Sequence, residues 1–177
     1  FKNNFTNAAK ILYEKKIPSI FFIPTKYISA DYSDTKEYCM NKTNYNEVIE
    51  MMNWQDIIEL DKLGFDIGSH TKSHYNLSLI SSDKKLLREE IYDSKKKIED
   101  LTGSECEYIS WPFGKQCDVS TKALDYVKNA GYKACFSAVR ANIVPGQTDV
   151  YEIPRHHFEP QWSHQNIIYF TKFRKYK

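Results

Sequence analysis

Short apolar runs alternate along the chain with segments whose apolar residues recur every three to four positions, and this alternation restricts the fold more than any other feature. The run Ile20 to Ile23, inside SIFFIP (Ser19 to Pro24), is continuous, as expected of a strand buried on both faces. Before it, Phe5, Ala8, Ala9 and Leu12 keep helical spacing until Pro18 closes the segment. Asn53, with Asp56 three residues on, has the pattern of a helix cap. Trp54, Ile57, Ile58 and Leu63 then lie along one face until Gly64, and FDIGS is the next strand. Ser82 is the expected start of a long helix with Leu87, Ile91, Ile98 and Leu101 in its buried stripe and Gly103 as its stop. YISWPF (Tyr108 to Phe113) reads as a strand ending in a Pro-Phe-Gly turn. Ser120 caps a helix with Ala123, Leu124, Val127 and Ala130 inward and Gly131 at its end, and YKACFSAV is the strand after it. VYEIPRHHF (Val150 to Phe158) is a last strand candidate, and Gln165 to Lys175 a terminal helix. Helices alternating with short apolar strands predict an α/β class built on a parallel sheet, either doubly wound or closed into a barrel. The longest connection, Thr25 to Met52, carries Tyr27, Tyr32, Tyr38 and Tyr45 and reads as a lid or groove wall, although tyrosines in such a segment are more often packing or surface residues.

With 177 residues and 41% hydrophobic content, the chain suffices for one domain with a real core. Its net charge of +2 lacks the basic footprint of a nucleic-acid binder, so nucleic acid is not an expected partner. No apolar run approaches the roughly 20 residues of a membrane span. The basic tail TKFRKYK reads as a solvated helix end. Cys39, Cys106, Cys117 and Cys135 form no C-x-x-C pair, which argues against a thiolate zinc site. Their spacing suits one disulfide in an oxidising compartment and four buried thiols in a reducing one equally well.

Two of the five histidines, His70 and His74, fall in one stretch, FDIGSHTKSHYNLS (Phe65 to Ser78), directly after a predicted strand. Loops at the carboxyl ends of parallel strands are where side chains from separate strands converge on a site. If the loop begins a helical turn, both imidazoles can face one metal ion; the plain reading is a pair of ordinary polar loop residues. Thr71 stands where a zinc-protease helix would carry its glutamate base, so the H-E-x-x-H chemistry is disfavoured and the pair needs a third ligand from elsewhere.

LGFDIGSHTKSHYNLS resembles the second motif of the polysaccharide deacetylases, the NodB-like carbohydrate esterases of family four. FKNNFTNAAKILYEKKIPSIFFI is similar to the segment immediately after that family's first motif. YISWPFGK resembles the aromatic-Pro-Phe-Gly form of the third motif, and YEIPRHHF is similar to the late strand with a Pro-Arg pair in the same branch. The likeness covers nearly the whole chain in the family's order. It implies a distorted seven-stranded (β/α) barrel and a single catalytic domain over 1–177 that lacks its first strand in this chain. It also implies metal-dependent removal of N-acetyl groups from a polymer of amino sugars, such as poly-N-acetylglucosamine, peptidoglycan or a chitin-like chain.

In that family His70 and His74 would be two of three ligands of one divalent ion, zinc by expectation; two imidazoles and a carboxylate suit zinc, iron, cobalt or nickel, and availability decides among them. The third ligand and the general base would be adjacent aspartates in a motif expected upstream of Phe1. Asp66 matches an acidic position that is not a ligand. The backbone N–H after Pro112, that of Phe113, would supply an oxyanion donor. Trp111 and Phe113 would line the sugar site with Pro112, against the plainer reading of Trp111 as core. Family members often carry an arginine where this chain has Ser110, and Arg155 is the candidate to replace it in orienting the aspartate. The family often uses a late histidine as general acid, and the resemblance makes His157 the candidate, which alternates with Arg155 on one face if their segment is a strand; the plain reading is a strand end with solvated cations. The resemblance places the protein at a bacterial surface or outside the cytoplasm, with no signal or anchor visible in this chain and no indication of oligomeric state. A non-catalytic carbohydrate-binding module and a glycan O-acetyl esterase are the competing readings.

Overall fold

The structure, a computed structural model, describes residues 1–43, 45–158 and 162–173. Four parallel strands form one sheet: β1 (Ile20–Ile23), β2 (Asp66–Ser69), β3 (Tyr108–Ser110) and β4 (Ala134–Phe136), hydrogen-bonded in the order β1-β2-β3-β4. A π-helical turn (Asn4–Ala9) leads into α1 (Lys10–Glu14) ahead of β1. The connection between β1 and β2 holds α2 (Tyr32–Glu37), a π-helical turn (Tyr38–Lys42) and α3 (Trp54–Lys62). Between β2 and β3, α4 (Lys84–Arg88) runs through a π-helical turn (Glu89–Asp93) into α5 (Ser94–Thr102). A single α-helix, α6 (Thr121–Asn129), lies between β3 and β4, and α7 (His164–Ile168) comes last with a π-helical turn (Tyr169–Phe173).

Local chemistry sets most of these boundaries. Asn53 and Asp56 form a reciprocal capping box at the start of α3, and Ser120 accepts the Ala123 N–H at the start of α6. Gly64 and Gly103 adopt left-handed conformations after α3 and α5, as helix-stop glycines do. The long helix is capped by Asp83, one residue beyond the predicted Ser82, because the Asp83 carboxylate accepts the Leu86 N–H. Leu101 is exposed, contrary to the predicted stripe of Leu87, Ile91, Ile98 and Leu101, of which the first three are fully buried. The π-helical turn at Glu89–Asp93 widens the helix and rotates Leu101 off the inner face.

The register pairs Phe22 with Gly68 and Ile23 with Ser69, so each face of the sheet can be read directly. Phe21, Ile23, Ile67, Ser69, Ile109 and Cys135 face the helices, and the core gathers there with Ile57, Leu60, Ile98 and Val127. The opposite face carries Phe22, Gly68, Ser110 and Phe136, with Phe22 and Phe136 in ring contact at 5.4 Å. Gly68 is required here, since a Cβ would lie 2.6 Å from the Phe22 ring.

The sequential order of parallel strands is compatible with a barrel wall. Four strands stand among the described residues where the resemblance implied seven, and they do not close on themselves. Val150 to Phe158 is not a regular strand: it joins β4 through a single bridge between Phe136 and Ile153. Pro154, which has no N–H to donate, comes directly after that bridge. The predicted terminal helix begins at His164, and its predicted end, Arg174 and Lys175, lies outside the described residues. All four cysteines are free thiols, with Cys117 exposed and the others buried. No helix of the described residues is long and apolar enough to cross a membrane.

Candidate active site

His70 comes directly after β2, and its backbone N–H donates to the Ile23 carbonyl at the end of β1 (2.8 Å). Its Nδ1 stands 2.7 Å from the Ser110 carbonyl oxygen at the end of β3. A carbonyl only accepts, so Nδ1 carries the hydrogen and Nε2 keeps the lone pair that can bind a metal. His74 lies with its ring centroid 4.8 Å from that of His70 and the planes at 74°. The expected helical turn is absent. The chain reverses through Thr71 (φ +64°) and His74 (φ +58°), and Thr71 Oγ1 accepts the His74 N–H at 3.1 Å. Two left-handed residues in four bring the imidazoles together in place of helical spacing.

Burial shapes the electrostatics of both rings. It holds the His70 imidazole down at about 4, with a smaller push from the Arg155 charge against the Ser110 hydrogen bond. Burial and then the proximity of His70 hold His74 at about 3. Both are neutral at neutral pH, the form in which imidazole binds a metal. The Nδ1 of His74 is buried and has no hydrogen-bond partner among the described residues. An orphaned imidazole nitrogen beside a second imidazole with a lone pair on Nε2 fits a two-histidine metal ligand pair. Among the described residues no cluster of three His, Cys, Asp or Glu side chains is placed to hold an ion.

The His74 ring is packed edge-on by Tyr38 (5.5 Å) on one side and Phe113 (5.0 Å) on another. Phe113 is half exposed and itself left-handed (φ +64°), a conformation that costs a bulky residue roughly 1–2 kcal/mol. Gly114, next to it, is packed so closely that a Cβ would lie 2.8 Å from the Ala138 nitrogen, and Ala138 N–H donates to the Gly114 carbonyl. The turn is thereby pinned with the Phe113 ring beside His74.

Arg155 reaches the same place from the far side of the sheet. Its Nη2 donates to Ser110 Oγ and its Nε to the Ser137 carbonyl, both at 2.7 Å, while the guanidinium lies 5.2 Å over the Phe22 ring. Ser110 therefore accepts from His70 through its carbonyl and from Arg155 through its hydroxyl. The remaining predicted residues behave otherwise. Trp111 is 1% exposed, with its indole N–H on the Lys115 carbonyl, and it belongs to the core with no face left for a sugar. Pro112 is buried in the turn. His157 is exposed and is not among the rings packed against His74. Asp66 is exposed at the start of β2, away from the end that bears His70. In the Thr25–Met52 segment Tyr27 and Tyr38 are buried and Tyr32 and Tyr45 exposed, so it serves as a wall behind His74. The backing of the histidine loop by Glu90 has no counterpart among the sequence expectations, although Glu90 falls three residues after Leu87 and eight before Ile98, on the buried stripe.

Comparison with curated proteins finds no match. Among solved structures the chain is similar to the Streptococcus pyogenes deacetylase PplD in complex with acetate (16% identity, TM-score 0.69), covering 94% of this chain and 64% of that one. It is also similar to the deacetylase domain of BpsB from Bordetella bronchiseptica (15%, TM-score 0.69; 88% and 66%) and to BC0361, a polysaccharide deacetylase from Bacillus cereus (21%, TM-score 0.63; 88% and 43%). The chain thus spans less than two thirds of each of these structures, and at such identities the likeness speaks for the fold. The sequence profile described as polysaccharide deacetylase matches residues 2–135. That span is well over half of the chain and contains the paired histidines and the Pro-Phe-Gly turn, and by it the chain belongs to the polysaccharide deacetylase family.

Proposed function

We propose that the protein is a metal-dependent hydrolase that removes N-acetyl groups from a polysaccharide of N-acetylated amino sugars, in the branch with an aromatic-Pro-Phe-Gly third motif. The observation that carries this reading is the facing pair of neutral imidazoles at the end of β2, one with its Nδ1–H committed to Ser110 and the other with an orphaned ring nitrogen. His70 and His74 hold the ion, zinc by preference. When bound, such an ion polarises the acetamide carbonyl and makes water acidic enough to attack near neutral pH. The Phe113 N–H donates to the oxygen that becomes negative as the carbonyl carbon turns tetrahedral. Collapse of that carbon breaks the C–N bond, leaving acetate, and the departing nitrogen takes a proton from a general acid, for which His157 is the candidate. Arg155, anchored on Ser110, orients the carboxylate that completes the site.

We place that carboxylate, with its neighbouring base, on a strand preceding Phe1. β1 is the edge of the sheet, and a cavity of about 340 Å³ beside it is lined by Ile20 to Ile23, Phe1 and Tyr38. The Phe1 ring contacts Tyr38 at 6.0 Å, and Tyr38 contacts His74, so a strand added at β1 would end within two ring contacts of the histidines. The domain over 1–177 would then form part of the seven-stranded barrel of an extracytoplasmic or cell-surface enzyme. The second reading, a non-catalytic carbohydrate-binding domain on the same fold, makes the opposite prediction for catalysis.

Acetate release from N-acetylglucosamine oligosaccharides and from O-acetylated xylan oligosaccharides, in zinc and after chelation, separates these readings. Zinc-dependent release from the N-acetylated chain alone is expected, falling at least about a hundredfold in His70→Ala and His74→Ala. Release only from the ester overturns the amide specificity, and binding without release from either supports the binding domain.

A further inference from the structure

The four residues that set His74 against His70 have all their connecting backbone groups matched. The Thr71 N–H donates to Ser69 Oγ and the His74 N–H to Thr71 Oγ1, both at 3.1 Å. The carbonyls of Thr71 and Lys72 accept the N–H groups of Thr25 (3.2 Å) and Lys26 (2.8 Å), and the Ser73 carbonyl accepts the Tyr27 hydroxyl (3.4 Å). The two remaining donors both go to one residue: Lys72 N–H to the Glu90 carbonyl (3.1 Å) and Ser73 N–H to Glu90 Oε2 (2.8 Å). Glu90 is 1% exposed, and its Oε1 has no hydrogen-bond partner among the described residues. It sits in the π-helical turn Glu89–Asp93, where the widened helix turns the Glu90 carbonyl to an outside donor.

We propose that Glu90 is the positioning residue of the histidine pair: by holding Lys72 and Ser73 from behind, it sets the orientation of His74 toward the ion shared with His70. The proposal rests on the two-histidine metal reading. A buried carboxyl with an unpaired oxygen is a costly way to fill a helix position between Leu87 and Ile91, where leucine would satisfy the core. What leucine cannot do is accept the Ser73 N–H. Without that acceptor the left-handed path through Thr71 and His74 loses its central restraint, and the two imidazoles no longer meet at a fixed angle.

The test is zinc affinity measured with Zn²⁺ alone on the parent protein and on Glu90→Leu, Glu90→Gln and Val127→Ala, with thermal unfolding recorded for each. Outer residues that orient metal ligands typically contribute about 10–100-fold to affinity, and Glu90→Leu is expected to lose that much. Glu90→Gln keeps an oxygen for the Ser73 N–H and is expected to stay within about threefold of the parent. Val127→Ala empties part of the core away from the loop, lowering the unfolding temperature with no change in zinc affinity. Unchanged affinity in Glu90→Leu, or an equal loss in Val127→Ala, overturns the proposal. If the parent binds no zinc at the histidines, the metal reading fails, and the positioning role is read from the imidazole NMR of the metal-free protein. There the His74 ring is expected to give one sharp set of signals in the parent and Glu90→Gln and broadened or doubled signals in Glu90→Leu; identical spectra in all three overturn it.

Discussion

His74 is buried and His70 half-buried, both in neutral form, and pH is therefore a direct lever on them. Their folded-state pKa values of about 4 and about 3 lie below the ordinary 6.5, so between these limits the unfolded chain binds more protons than the folded one. The stability contributed by keeping them neutral is fully present above pH 6.5 and is lost as pH falls toward 4. In the metal-free protein the urea midpoint is expected to drop across that window. The drop should flatten in His70→Gln/His74→Gln; an equal slope in the double variant would assign the acid sensitivity to other groups. The thiols give a second residue-level prediction. Burial pushes Cys106 up to about 12 and Cys135 higher still, Cys39 is buried, and Cys117 is exposed. One thiol per chain, Cys117, should react rapidly with a thiol reagent under native conditions and four after unfolding; Cys117→Ser should abolish the fast phase.

At the scale of elements, the Pro-Phe-Gly turn has little room to move. Gly114 has φ +78° and a Cβ there would meet Ala138 backbone, so Gly114→Ala must both strain the turn and push it off the tail of β4. An unfolding free energy lower by about 1–3 kcal/mol is expected from equilibrium urea unfolding, together with a loss of any catalysis that uses the Phe113 N–H. A neutral Gly114→Ala would show that the turn is not pinned. The elements legible in the sequence are those whose signals are local. Asn53, Ser120, Gly64 and Gly103 set helix ends through hydrogen bonds or φ values within a few residues. Leu101 departs from the predicted stripe because a π-helical turn shifts the helical phase without an evident mark in residue type. Helix α2 is silent in the sequence because it buries only Thr35 and so shows no apolar period. The pairing of His70 with His74 is legible as a motif, but its geometry is not, since it depends on donors from Thr25, Lys26 and Tyr27 and on acceptors of Glu90, far along the chain.

On the scale of the whole molecule, the sheet places everything that converges on the site at one end. Ile23 of β1 anchors the His70 backbone, β2 delivers His70, β3 ends in Ser110 and the Phe113 turn, and the segment bridged to β4 returns Arg155 to Ser110. A parallel sheet is readable from the alternation of runs and helices. The number of strands is not, because strand count depends on closure and not on periodicity. The pair of histidines at the centre of this arrangement is the claim on which the proposed chemistry depends. The most direct test is an anomalous difference map at the zinc edge from crystals of the protein equilibrated with Zn²⁺. A single strong peak between the His70 Nε2 and the His74 ring, absent in His74→Ala crystals, is the expected result. No peak there, with zinc bound elsewhere on the chain, would contradict the two-histidine metal centre.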